Sequence, residues 1–238
     1  MNENNYEIID SEFNIADLSR TFFANVYKYM FLALTLSGLI AYFGASSGIF
    51  LELAFTETGM SPLGYIIMFA PLGLVLLIQF RYQKMQFMSV MGLFLLYAAL
   101  IGLSLSFIFY VYTSASIVMT FLVTGGTFGA MALLGYTTKT DLSKMGSLLY
   151  MVFIGMFIAS IANMLMGSET ISYVISFLGL IVFTGLTAYK MQEMKKIATE
   201  PSLQGENRKK QELLGGLILY ILFINLFMSI LRFVGDRG

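Results

Sequence analysis

Long uncharged stretches separated by short charged segments dominate the chain. A membrane-spanning helix needs about 20 consecutive apolar residues, so the distance between successive charged residues indicates how many spans can form. Five of these gaps hold 19 to 24 residues, and a sixth, from Lys84 to Lys139, holds 54. A single helix filling that gap would be about 80 Å long, more than twice the hydrocarbon thickness of about 30 Å. The longest gap must therefore contain two spans and a turn.

We place this turn at residues 110–116, where aromatic side chains that suit the membrane interface meet small hydroxyl residues. The pattern then predicts an all-α polytopic membrane protein, a bundle of seven transmembrane helices. The predicted spans lie near residues 28–48, 60–80, 87–112, 115–136, 146–167, 171–190 and 213–234.

Composition agrees with the bilayer as the main solvent of this chain. Hydrophobic residues make up 58% of it and charged residues only 12%, about half the usual share in soluble domains. The 14 basic and 14 acidic residues cancel, which argues against nucleic acid as a partner. The lipid bilayer is the partner that the sequence itself indicates.

Cysteine and histidine are both absent from the sequence. Disulfides, thiolate chemistry, Cys/His metal sites and imidazole bases are thereby excluded. All 14 carboxylates also fall outside the predicted spans, so we expect no buried carboxylate. The sequence therefore predicts a protein that is not an enzyme and that carries no cofactor and no metal.

The basic residues predict the orientation of the bundle. With the N-terminus in the cytoplasm, 12 basic residues fall on the cytoplasmic side and two, Arg232 and Arg237, on the other, in line with the positive-inside rule. Residues 1–25 are acidic and are expected to form a cytoplasmic segment with a short interfacial helix that leads into the first span. Residues 26–238 form the predicted membrane domain. Their location is expected to be a bacterial inner membrane.

The last span carries a polar face. Leu222, Asn225, Ser229 and Arg232 follow one another at intervals of three and four residues, so they share one side of the helix. We expect this face to point into the bundle, where hydrogen bonds between helices are available. Lys190, at the end of the sixth span, is interpreted as an anchor whose long side chain reaches the membrane surface.

Several runs resemble those of the Bax inhibitor-1 family of seven-span membrane proteins, in its bacterial branch. The clearest likenesses are in the last two spans and the weaker ones in the first and after the fourth. They are residues 219–227 (LYILFINLF), 231–235 (LRFVG), 179–184 (GLIVFT), 188–192 (AYKMQ), 22–43, 126–129 (GTFG) and 139–143 (KTDLS).

The resemblance implies a pH-sensitive calcium leak in some members, controlled by two aspartates that share a proton. Two carboxylates in contact split their titrations and can act as a pH switch. At the corresponding positions this sequence has Lys190 and Leu222, so the pair is absent and calcium is not the expected ion. Arg81 matches the basic residue thought to hold the pair. The candidate pore or gate region therefore consists of Arg81, Lys190, Leu222, Asn225 and Ser229.

Two functions stay open on these grounds. The first is regulation by contact with other membrane proteins, since some bacterial relatives resemble modulators of a membrane-bound ATP-dependent protease. The acidic N-terminal segment would then be the part that the partner binds. The second is an ion or small-solute leak that works without the aspartate pair, using polar residues such as Asn163, Thr187, Asn225 and Ser229.

Overall fold

The computed structural model describes the backbone of residues 3–57, 59–200 and 202–238, and side chains from residue 17 onward within those ranges. Within them the chain is almost entirely helical. The helices are α1 (Glu3–Ser46), α2 (Ile49–Ala54), α3 (Pro62–Arg81), a short 3-10 helix (Tyr82–Lys84), α4 (Phe87–Leu105), α5 (Ile108–Val111), α6 (Ser114–Thr137), α7 (Ser143–Met166), α8 (Glu169–Ala198) and α9 (Gly205–Val234). A small antiparallel hairpin of β1 (Phe55–Thr56) and β2 (Gly59–Met60) precedes α3.

In the part of the chain that the structure describes, seven helical segments are long and apolar enough to cross a bilayer, which confirms the predicted all-α, seven-span architecture. The predicted turn inside the longest uncharged stretch is also confirmed, because Tyr112 and Thr113 separate α5 from α6. The sixth and seventh predicted spans correspond to α8 and α9.

Three helices are longer than the charges indicated. α1 begins at Glu3 instead of residue 28, α8 ends at Ala198 instead of residue 190, and α9 begins at Gly205 instead of residue 213. A charge marks where a helix leaves the hydrocarbon, but backbone hydrogen bonds continue until a breaker interrupts them. The acidic segment is consequently the start of α1 and not a separate short helix. The division at residue 25 stays a prediction, although Ser19 and Phe22 are already buried.

Cα packing divides the chain into two compact units. Unit one comprises Met1–Tyr29 and Thr124–Phe233 and contains α7, α8 and α9. Its core lies along α9, since 72% of the apolar window of that helix is buried, against 6% for α7. The side chains of Phe22, Val26 and Leu226 in this core are fully enclosed.

Unit two comprises Met30–Val123 and Val234–Gly238. Its core includes Ile78, Val90 and Phe94, all fully buried. The last residues of the chain pair with the turn before α6: Thr113 N donates to Asp236 O (3.2 Å) and Gly238 N donates to Val111 O (3.1 Å). The C-terminus is thereby fixed to this unit.

Glycines allow the helices of unit one to approach closely. A Cβ added to Gly135 on α6 would collide with the backbone carbonyl of Ala188 on α8. One added to Gly146 on α7 would lie 2.6 Å from the ring of Tyr189. Small residues at helix contacts are the usual basis of packing in lipid, where no hydrophobic effect drives helices together. These two glycines therefore fix α8 against α6 and α7.

Replacing Gly135 by alanine should destabilise the protein by about 1–3 kcal/mol, because the backbone of α8 would have to move. Gly129 on the same helix is the matched control, since an added Cβ meets nothing within 4 Å there. The control should be neutral or stabilised by up to about 1 kcal/mol, the helix-propensity gain of alanine over glycine. Thermal unfolding in detergent measures both. Equal stability of the two variants would contradict this packing.

Candidate functional site

Four of the five candidate site residues lie in unit one, on α8 and α9, while Arg81 is exposed at the end of α3 in unit two. Lys190 is on α8, and Leu222, Asn225 and Ser229 are on α9. Within unit one, Asn225 and Ser229 line a common crevice, whereas Lys190 and Leu222 do not contribute to it. The five residues predicted to form one pore or gate region therefore do not form a single site.

The ammonium group of Lys190 is held in place by its neighbours. Its Nζ donates to Glu193 Oε2 at 2.5 Å, one helical turn further along α8. It also lies 5.4 Å from the ring centroids of Tyr150 and of Tyr189, at cation–π distance. The side chain is 16% exposed. The lysine charge is thus paired with a carboxylate and lies against two aromatic rings, and its role as an anchor stays a prediction.

Leu222 belongs to the apolar core of unit one. Its side chain is 6% exposed, and the adjacent Phe223 packs edge-on against Phe128 of α6 with the ring centroids 5.5 Å apart. Thr187 on α8 is fully buried, and its Oγ1 donates to Phe183 O of its own helix at 2.7 Å. This part of α8 and α9 is a packed layer, in which the hydroxyl of Thr187 has a partner and that of Thr184 is buried without one.

The polar face of α9 points into unit one at Leu222 and Ser229, as predicted, but its hydrogen bonds do not reach another helix. Asn225 Nδ2 donates to Ile221 O (2.8 Å) and Ser229 Oγ donates to Asn225 O (2.8 Å), so both bonds stay within α9. A side chain that bonds to the carbonyl four residues earlier needs no neighbour. Asn163 does join two helices, since its Nδ2 donates to Ser172 Oγ of α8 at 2.7 Å.

A crevice of about 210 Å³ lies between α7, α8 and α9, in the half of unit one nearer the C-terminal end of α9. Ser160, Ser176, Asn225 and Ser229 supply polar groups to its lining, and the exposed Arg232 supplies a positive charge. We call it the α7–α9 crevice. Water has a volume of about 30 Å³ per molecule, so the space suits several waters or a small solute. On α8 the lining extends as far as Phe183, about 10 Å along the helix from Lys190.

Glu212 is the ionisable residue that the charge pattern failed to identify. It lies inside α9 and is 3% exposed, so the expectation that no carboxylate is buried was wrong. Its Oε2 accepts a hydrogen bond from Asn25 Nδ2 of α1 at 3.0 Å, and its Oε1 lies 3.4 Å from Arg208 Nε. A buried carboxylate needs such partners, since an unpaired one would be very costly. The spacing of Arg208 and Glu212, four residues apart on one helix, was the available signal.

Arg208 ties the start of α9 to α1. Its Nη2 donates to Leu18 O at 2.5 Å, and its guanidinium carbon lies 5.6 Å from the ring centroid of Phe22. Together with Asn25 and Glu212 it forms a polar cluster at the end of unit one where α9 begins. We call these three residues the α1–α9 clamp. The clamp holds α1 from about Leu18 onward.

Seven long apolar helices, with polar groups that are bonded inside the protein, define a multi-pass α-helical membrane protein. Comparison with known sequences identifies its family. The sequence model described as "Inhibitor of apoptosis-promoting Bax1" matches residues 19–238. The chain belongs to this family, the Bax inhibitor-1 family that its motifs resemble.

Relatives in several bacteria match nearly the whole chain. Inner membrane protein YbhL of Escherichia coli (strain K12) is 44% identical over 219 residues, covering 92% of each chain. An uncharacterized protein of Borreliella burgdorferi is 40% identical over 220 residues, or 92% of this chain and 94% of its own length. Protein RP147 of Rickettsia prowazekii is 39% identical over 218 residues, with 92% and 90% covered. The chain is a multi-pass inner-membrane protein, as the sequence predicted.

Replacing Asn25 by leucine should destabilise the protein by about 1.5–3 kcal/mol, because it removes a hydrogen bond to the buried carboxylate of Glu212. The same change at Asn225 is the matched control. It removes only a bond to Ile221 O, a carbonyl that already accepts a backbone hydrogen bond within α9, and should cost less than about 1 kcal/mol. Unfolding in detergent, followed by circular dichroism, compares the two. An equal loss in both variants would show that Asn25 does not support Glu212.

Proposed function

We propose that the protein is a non-enzymatic regulator that acts by direct contact with other membrane proteins, with a membrane-bound ATP-dependent protease as the expected class of partner. The observation that carries the proposal is the packed layer of α8 and α9 between the α7–α9 crevice and Lys190. A conduction pathway needs a continuous row of polar groups or water across the membrane. Regulation by contact needs only a stable bundle and exposed surfaces.

The packed layer provides little for a solute to bind. Leu222 and Thr187 are both buried, and the hydroxyl of Thr187 is bonded to its own helix. Lys190 is engaged by Glu193 and two tyrosines, so its charge is not directed into an open space. Among the described residues no group of three or more carboxylates could hold a metal ion. These features favour a structural role for α8 and α9.

An outward-facing part of α6 offers a surface for contact. Gly125, Gly126, Gly129 and Ala130 are exposed, and a Cβ added at any of the three glycines would meet nothing within 4 Å. Small residues four apart let a second helix approach closely in lipid. This face supports the proposal because the glycines that pack within unit one, such as Gly135, lie elsewhere on the helix.

The N-terminal segment is a second candidate for contact with a partner. α1 is one continuous helix from Glu3, and its first 14 residues contain Glu3, Glu7, Asp10 and Glu12 without a basic residue. The α1–α9 clamp holds the chain from about Leu18. Residues 2–16 can therefore be removed without deleting any residue of the clamp.

Overexpression of the intact protein should slow the turnover of known substrates of the membrane-bound protease, and deletion of residues 2–16 should abolish this effect. The physical reason is loss of the acidic segment that contacts the partner. Pulse-chase measurement of substrate half-life provides the test, with immunoblotting to confirm equal amounts of both forms in the membrane. A full-length variant with Glu3→Gln, Glu7→Gln, Asp10→Asn and Glu12→Gln separates charge from length. Unchanged turnover with the intact protein would contradict the proposal.

The α7–α9 crevice favours a second candidate, conduction of an ion or small solute. Its polar lining reaches into the membrane from the C-terminal end of α9 and would form half of a pathway. The positive charge of Arg232 at the crevice would favour an anion over calcium. The two functions differ in one physical respect, which is whether water passes beyond Phe183 to reach Thr187 and Leu222.

A further inference from the structure

A basic pocket of about 300 Å³ lies at the opposite end of unit one from the crevice, where α6 ends, α7 begins and the last turns of α8 pass by. Three of its lining residues are lysines, Lys139, Lys195 and Lys196, and one is an acid, Asp141. The lining therefore has a formal charge of +2. Thr138, Gln192 and Thr199 complete it.

The wall of this pocket is fixed by Gln192, a buried residue in the run 188–192 that resembles the family. Its Oε1 accepts a hydrogen bond from Leu142 N at 2.9 Å, and its Nε2 donates to Thr140 O at 2.8 Å. One amide side chain of α8 thus binds the loop between α6 and α7 on either side of Asp141. The positions of Lys139 and Asp141 on this loop are therefore set relative to α8.

Lys195 has an anchored ammonium group. Its Nζ donates to Tyr136 O at 2.9 Å and lies 4.8 Å from the centroid of the Tyr136 ring. An ammonium carries three N–H donors, and this bond uses one of them. The other donors can bind a ligand without the side chain having to be ordered first. Anchoring of this kind reduces the entropy that binding costs.

Two further lysines stand at the rim. Lys196 Nζ lies 3.9 Å from Asp141 Oδ1, and both side chains are mostly exposed, so this ion pair contributes little and leaves the lysine able to bind an anion. Lys139 is exposed on the loop. Asp141 accepts hydrogen bonds from Ser143 Oγ (2.7 Å) and Ser143 N (3.1 Å), which lower the pKa of its carboxyl. Its negative charge is therefore present at neutral pH and opposes an anionic ligand.

We propose that this pocket binds the phosphate group of an anionic phospholipid. The loop joins the ends of two membrane-spanning helices, Thr137 of α6 and Ser143 of α7, so the pocket lies at the level of the lipid headgroups. Clusters of lysine at the ends of membrane helices attract anionic headgroups, at about a fivefold gain in affinity for each residue. The site does not depend on the regulatory function proposed above, since it involves neither the acidic segment nor the outward face of α6.

The test is lipid binding to the full-length protein in detergent, measured by native mass spectrometry with phosphatidylglycerol as the probe and phosphatidylcholine as the reference. The variant Lys139→Gln with Lys196→Gln should bind phosphatidylglycerol about 25-fold more weakly. Lys84→Gln with Lys209→Gln is the matched control, because it removes the same charge from two exposed lysines that do not line the pocket. The control should bind as the original protein does.

A substitution that is expected to increase affinity distinguishes a direct effect on binding from misfolding. Asp141→Asn keeps an oxygen that can accept the bonds from Ser143 but removes the opposing charge, and it should tighten phosphatidylglycerol binding severalfold. A misfolded protein would not gain affinity. Equal weakening in the pocket and control variants, or no weakening in the pocket variant, would overturn the proposal. Displacement of the lipid by inorganic phosphate at comparable concentration would also overturn it, because the site would then serve free phosphate.

Discussion

The structure depends on one constraint, that polar groups surrounded by hydrocarbon must find their partners inside the protein. Helices satisfy the backbone, and the side chains of Thr187, Asn225 and Ser229 satisfy themselves by bonding to carbonyls of their own helices. Glu212 cannot do so because it is an acceptor only, and it is paired with Arg208 of α9 and with Asn25 of α1. Burying one carboxylate thus contributes to the attachment of α1 to α9, together with the contacts of Arg208 to Leu18 and Phe22.

The same constraint separates the polar groups of unit one into two regions. The α7–α9 crevice holds uncharged groups together with Arg232, while the clamp, Lys190 and the basic pocket lie toward the opposite end of the spans. The layer between them is formed by buried residues such as Leu186 and Leu222. A bundle organised in this way holds its helices in fixed contact and has most of its charges near the ends of the spans, which suits contact with partners and lipids.

The number of spans could be predicted from the sequence because a hydrocarbon core of nearly constant thickness converts charge spacing into helix count. The ends of the helices could not, because α8 and α9 continue past the hydrocarbon with ordinary helical hydrogen bonds. Glu212 was placed outside the last span for this reason, although α9 starts at Gly205 and buries it. The partners of Asn225 were also beyond the sequence, since a face shared by polar residues does not reveal whether they bond across helices or back to their own.

The central claim is that the layer containing Thr187 and Leu222 is closed to water. The chain has no cysteine, so single cysteines can be introduced without background, at Thr187, Leu222 and Ser229. A small, membrane-impermeant thiol reagent applied to each face of membranes containing the protein then measures access. The account predicts that Ser229→Cys reacts through the crevice, whereas Thr187→Cys and Leu222→Cys stay unmodified from both faces. Modification of these two positions at the rate of Ser229→Cys would contradict it and favour conduction.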